Sequence, residues 1–371
     1  MGAPTEYYID PTVASDGGAG TSGSPWTRAD GNVLQYALDN ITRDTTNGDR
    51  INVKSGTPHT GATASLSFTS YGSSTYQTAV IIQGYTSTAN DGGKGTILMN
   101  SLRDISSRSY LHFIDIIADT CRIKTATGSD VFDCEVRNVS SGDAIYIATT
   151  GHAAGNYVSI SGSANGINNA AGGNEISCNV IEMADSSTGI GIRCGSNSLT
   201  VRNNIVKMGT GAATGISILG YNQRVANNSI YSNGGTGGGI YLNTGAEINN
   251  RIYSNLVEGF SGTGGHGIEL SAGAYSSAYN ISVYDNAVYN CDTAYYVKDD
   301  FVVQGGSTNE TLSESPFTDA ANGDFTPVDT GNVLSPQRTS TVNGIRVNAA
   351  KGAVAPASSG GGSTVIVIED D

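Results

Sequence analysis

Between Cys134 and Tyr296 the chain repeats itself: Asp143-Ala144-Ile145-Tyr146-Ile147, Asn165-Gly166-Ile167, Thr188-Gly189-Ile190-Gly191-Ile192, Thr214-Gly215-Ile216-Ser217-Ile218, Gly238-Gly239-Ile240-Tyr241-Leu242, His266-Gly267-Ile268-Glu269-Leu270 and Thr293-Ala294-Tyr295-Tyr296-Val297. A small residue falls at 144, 166, 189, 215, 239, 267 and 294, giving steps of 22, 23, 26, 24, 28 and 27. A second register, as in Ser177-Cys178-Asn179-Val180-Ile181, places Asn at 179, 204, 228, 255 and 286. A period in the twenties, built of short alternating strands with Gly or Asn between them, is the mark of a solenoid. Each repeat is then one coil of a β-helix. Alternation as in Ile216-Ser217-Ile218 turns one side of each strand inward. The small residue suits a corner that needs φ > 0 or close backbone packing. The Asn tolerates the left-handed conformation, and its amide can bond to the Asn of the next coil. A leucine-rich repeat shares the period but needs a regular Leu framework and helical backs, which this Gly-, Ser-, Thr- and Asn-rich chain lacks.

The chain has 371 residues, 50 of them Gly, and charged residues make up only 14%. A solenoid can run this long as one unit. The repeated Val, Ile and Tyr strands supply a continuous apolar stack, which argues against disorder. A net charge of −14 opposes simple electrostatic binding to nucleic acid or an anionic membrane. A polyanionic substrate would need local basic groups or a bridging cation. The cysteines, Cys121, Cys134, Cys178, Cys194 and Cys291, are odd in number and lack zinc-ligand spacing, so buried free thiols are expected. Met1-Gly2-Ala3-Pro4-Thr5 shows neither a basic region nor an apolar run, so no signal peptide is visible, and no stretch reads as a membrane span.

Residues 1–56 read as an opening module: a short strand at Glu6-Tyr7-Tyr8-Ile9-Asp10-Pro11, a Gly/Ser/Thr loop, Trp26, then a helix from about Asn32 to Ile41 capped by Asp30. That helix is expected to lie over the open end of the solenoid. The order Tyr-Tyr-Ile-Asp-Pro, Gly20-Thr21, Pro25-Trp26, apolar helix, Gly48-Asp49 and Ile51-Asn52-Val53 resembles the start of right-handed parallel β-helix proteins of the pectate-lyase-like superfamily. The resemblance implies an all-β, single-stranded right-handed parallel β-helix with an N-terminal capping helix. Its motifs specify fold rather than chemistry. Coils are expected over 57–300, with candidate strands Ala79–Gln83, Thr96–Met99, Tyr110–Ile117 and Val131–Cys134. A closing segment follows over 301–354, with Ser315 to Phe325 packing back along the solenoid. Residues 355–371 read as a Pro/Ser/Gly linker and an apolar, β-prone tail, Val365-Ile366-Val367-Ile368.

Enzymes of that superfamily attack acidic polysaccharides as lyases, with Arg, Lys or Tyr taking a proton, or as hydrolases with paired carboxylates. The candidates here are His266 in Gly265-His266-Gly267, the pair Asp299-Asp300, and Arg202 and Arg224, 22 residues apart, as a basic row with Arg193 and Lys207 nearby. A polygalacturonase-type hydrolase carries Asp-Asp before Gly-His-Gly. Here the order is reversed, and that family's Asn-Thr-Asp before them and Arg-Ile-Lys after them are missing. His266 therefore reads as a coil corner and Asp299-Asp300 as a solvated turn. Asp115, Asp119 and Asp133 could hold a cation if their coils align. Ca²⁺ enters only under the lyase alternative, and otherwise no cofactor or metal is expected. Outward tyrosines such as Tyr241 and Tyr296 could stack on sugars.

The leading expectation is a non-enzymatic structural or adhesive β-helix on the surface of a virus particle, able to bind a cell-surface glycan. The alternative is an extracellular polysaccharide lyase or glycoside hydrolase. The expected partners are further copies of the chain, with a three-fold bundle of tails through Val365, Ile366, Val367 and Ile368 as one arrangement, and other virion proteins. Nucleic acid and membrane insertion are not expected.

Overall fold

Three short strands make one coil. Glu175–Ser177 lies on a first face, Val180–Met183 on a second and Ile190–Cys194 on a third, and Thr200–Arg202 then begins the next coil on the first face. Each strand pairs in parallel with its counterpart one coil on: Glu175 with Thr200, Val180 with Ile205, Ile190 with Thr214. The first faces form a 12-stranded sheet. The second and third faces run together as an 18-stranded sheet, because Gly95–Ser106 and Ile116–Thr125 pass from one face to the other unbroken. The protein is a parallel β-helix. The computed structural model describes residues 3–63, 66–67, 80–106, 110–172, 174–195, 197–243, 249–271, 281–297, 303–304, 308–328, 339–342 and 345–348.

The interior is built of in-register apolar columns. On the third face Ile145, Ile167, Ile192, Ile216, Ile240 and Ile268 stack and are at most 1% exposed. Val158, Ile181, Val206, Ile230, Val257 and Val288 do the same on the second face, and Ile176, Val201, Val225 and Ile252 on the first. Burying each such side chain is worth about 1.5–3 kcal/mol.

The third-face strand does not alternate simply. In His266–Leu270, His266 and Glu269 are half-buried, whereas Gly267, Ile268 and Leu270 are buried, so two successive residues turn inward. The first of those two must be small. A Cβ on Gly215 would come within 2.5 Å of the Gly239 carbonyl and 2.7 Å of Ile230. None of Gly166, Gly191, Gly215, Gly239 and Gly267 has positive φ, so close packing alone selects them. Pairing also corrects the sequence alignment at one coil. Ile192 pairs with Ile216, which makes Gly191, not Gly189, the counterpart of Gly215.

Between the first and second faces the chain turns through one left-handed residue: Asp115, Asp133, Gly155, Cys178, Asn203, Asn227, Ser254 and Asp285 all have φ between 52° and 70°. From the sequence this conformation is expected of the recurrent Asn. The structure gives it to the preceding residue. Each recurrent Asn is instead buried, and the side chains bond in series along Asn156, Asn179, Asn204, Asn228, Asn255, Asn286 and the half-buried Asn309, with Nδ2 to Oδ1 distances of 2.9–3.0 Å. Holding a residue other than Gly or Asn left-handed costs roughly 1–2 kcal/mol. The ladder offsets that by satisfying buried donors and acceptors. The left-handed position also leaves Cys178 exposed, against the expectation of a buried thiol. Cys121, Cys134 and Cys194 are buried, and all five cysteines are free.

Thr5–Ile9 and Asp49–Lys54 are the first strands of the 12-stranded sheet. The helix between them, α1 (Val33–Asn40), buries Val33, Leu34, Ala37 and Leu38 against the apolar stack. Its N-cap is Asn32 rather than Asp30, whose carboxylate accepts from the Asn32 N–H at 3.0 Å. The free edge of Thr5–Ile9 is covered by the Trp26 loop, with Tyr8 N–H donating to Gly20 O and Trp26 N–H to Tyr8 O. The expected strand Tyr110–Ile117 is broken by left-handed Asp115 into Leu111–Ile114 and Ile116–Thr125. Farther on, Phe317–Asp319 and Asp324–Pro327 form an antiparallel hairpin. Its Phe317, Ala320 and Phe325 cover Ile205, Tyr231, Leu256 and Ala287 on the outside of the second face. The hairpin thus packs on the outside of the second face.

Candidate functional site

Because the third-face strand turns two consecutive residues inward, the residue after them faces out in every coil. Tyr146, Asn168, Arg193, Ser217, Tyr241, Glu269 and Tyr296 therefore stand in one register-matched row. With coils about 4.8 Å apart the row extends about 29 Å. Asn168 and Ser217 are low and buried between taller neighbours. Arg193 is exposed, with no acidic partner among the described residues.

The far end of the row is the most organised. His266 Nδ1 meets Glu269 Oε2 at 2.8 Å, and the imidazole stacks on the Tyr296 ring at 4.5 Å and 1°. A neutral ring then carries its proton on Nδ1, which leaves Nε2 as an acceptor. His266 opens a strand rather than occupying a corner. It is held by a carboxylate on one edge and a ring on one face. Tyr296 remains 37% exposed, so the contact fixes an aromatic surface without hiding it. Glu269 was not singled out from the sequence, because residues three apart on an ideal strand point to opposite faces. The two consecutive inward residues put them on the same side.

The remaining candidates do not converge. Arg202 lies opposite Ala226, and Arg224 opposite Thr200, so these two are in different rows, contrary to the proposed basic row. Arg202 is bound to Glu175 at 3.0 and 3.3 Å, whereas Arg224 shares its row with Arg251. Lys207 is on the second face, in register with Glu182 and Tyr231. Asp115 and Asp133 are neighbours on the left-handed column. Burial raises both carboxyl groups, Asp133 adds to the effect on Asp115, and Lys94 opposes it in each. Asp119 sits apart, bound to Arg137 at 2.9 Å and Asn138 at 2.7 Å. No group of three or more His, Cys, Asp or Glu side chains that could hold a metal occurs among the described residues. Asp299, Asp300 and the tail residues Val365, Ile366, Val367 and Ile368 lie outside the described residues.

No family model matches the sequence, and no curated protein matches it. Among solved structures, the chain is similar to the crystal structure of pectate lyase Pel9A, with 11% identity and a TM-score of 0.42 over 95% of this chain and 96% of that one. A likeness at this level bears on neither chemistry nor substrate.

The first face carries a second organised cluster, one that no motif marks. Asp130 bridges His112 and His152, at 2.9 Å from Nδ1 of each. His112, Asp130 and His152 are spread over some forty residues of an irregular stretch, with no motif spacing to connect them.

Proposed function

We propose that this chain is a non-enzymatic, glycan-binding β-helix of the structural or adhesive kind carried on the surface of virus particles. The observation that supports glycan contact is the third-face row, in which Tyr146 at one end and Tyr241 and Tyr296 at the other share one register with Asn168, Arg193, Ser217 and Glu269. Tyrosine offers a broad apolar ring with a polar tip, which suits a sugar's C–H face and hydroxyls together. Because His266 holds Tyr296 in place, little side-chain freedom is lost on binding. The non-enzymatic reading is supported by His266 and Arg202, which are engaged with Glu269 and Glu175 rather than poised over an open groove. Placement on a particle is supported by a polar solenoid followed in sequence by a Gly/Ser/Pro linker and an apolar tail at 365–368.

Glycan-array binding by the intact chain tests the first part. Tyr296→Ala and Tyr241→Ala should each weaken retention about tenfold, the scale of one lost ring contact. Unsaturated or reducing sugar released from an acidic polysaccharide panel would refute the non-enzymatic reading. Mass spectrometry of purified particles tests the setting. Deleting residues 355–371 should leave a folded chain that no longer assembles, and normal assembly would overturn the role given to the tail.

A further inference from the structure

On the second face, the strands and the returning hairpin leave a groove of about 360 Å³, within the range of small-ligand sites. We propose that this groove binds a neutral, hydroxyl-rich sugar unit. Its floor is an outward column in register: Ser159, Glu182, Lys207 and Tyr231. Ala321, in the turn of the hairpin, forms the opposite lip. The hairpin is fixed there by Phe325, whose ring meets Tyr231 edge-on at 6.4 Å and Phe317 at 5.2 Å. The wall is therefore built rather than incidental.

The polar groups in the groove are complementary yet unspent. Glu182 accepts the Tyr157 hydroxyl on Oε2 at 2.5 Å, which keeps Oε1 for another donor. The side chains of Asp185, Lys207 and Asn233 have no hydrogen-bond or ion-pair partner among the described residues. Carboxylates only accept, an ammonium only donates and an amide does both. Adjacent hydroxyls on one sugar satisfy all three at once, since each hydroxyl both donates and accepts. Charge sets the class. Two carboxylates against one ammonium, in a chain of net charge −14, disfavour a uronate or sulfated unit.

This site is on a different face from the tyrosine row, so the two can be tested separately. The probe is a printed array of neutral and uronate-bearing oligosaccharides, read with the intact chain and four variants whose melting temperatures confirm folding. Asp185→Ala and Lys207→Ala should each reduce retention on neutral glycans by tenfold or more. Ala321→Trp, which fills the mouth without touching the polar groups, should do the same. Tyr296 lies on the other face, so the loss caused by Ala321→Trp should be the same factor with or without Tyr296→Ala. The proposal is overturned if no neutral glycan is retained, if uronate-bearing glycans are preferred, or if neutral binding survives Ala321→Trp. Neutral binding lost only in Tyr296→Ala would likewise overturn the groove while leaving the row intact.

Discussion

Asn204 donates twice to one atom: its backbone N–H and its Nδ2 both reach Oδ1 of Asn228, each at 3.0 Å. Its own Oδ1 receives the same pair from Asn179, at 3.0 and 2.9 Å. Asn204 is fully buried, so no water can take over these bonds. Asn204→Ala strands the donors of Asn179 and is expected to cost about 2–4 kcal/mol. A urea titration should show the midpoint fall with little change in slope. An unchanged midpoint would mean the ladder contributes nothing to stability.

Gly215→Val tests the claim that close packing, not backbone conformation, selects the small column. The new side chain would press on the Gly239 carbonyl and Ile230, which would force coils apart at a cost of about 1–3 kcal/mol. Gly23→Ala is the control, because a Cβ there meets nothing within 4 Å. Equal melting temperatures for the two variants would refute the packing argument.

Asn169 is fully buried in an interior column between Ile147 and Cys194, and neither its Oδ1 nor its Nδ2 has a partner among the described residues. An unpaired buried amide is costly, and an apolar residue of similar size removes that cost. Asn169→Leu should therefore stabilise the protein by about 1 kcal/mol. A lower melting temperature would show that the amide is satisfied in solution.

Asp130 and His152 predict a pH optimum for stability. Burial alone would raise Asp130, but hydrogen bonds from His112 and then His152 outweigh it and hold the carboxyl well below its usual 3.8. Its contribution is present above that value and is lost as the pH falls towards the depressed pKa. His152 is raised above 6.5, chiefly by its bond to Asp130, with burial opposing. Its contribution is complete below 6.5 and is lost as the pH rises through the raised pKa. Both act together between about 3.8 and 6.5. Melting temperatures should peak in that window, and Asp130→Asn should flatten the decline on both sides. An identical profile for Asp130→Asn would remove the pair from the account.

The solenoid was legible in the sequence because each coil repeats the same local problem. Ile216 and Ile240 need an inward place, and Asn204 and Asn228 need a partner one coil away, so periodicity carries the information. The α1 helix and the returning hairpin were legible for a similar reason, since an apolar face must find cover. What the sequence did not fix was side-chain direction. Two inward residues in succession break period-2 reading, so counting alone puts Gly189 where Gly191 belongs and separates Glu269 from His266. Coils of unequal length also defeat counting: Arg202 and Arg224 are 22 residues apart yet lie in different rows, because register follows the strands and not the interval. The composition and repeat of the chain determined by themselves that it would coil and bury isoleucine columns. Only the tertiary structure decided which polar side chains meet, because those contacts join separate coils through insertions and turns that have no repeat to read.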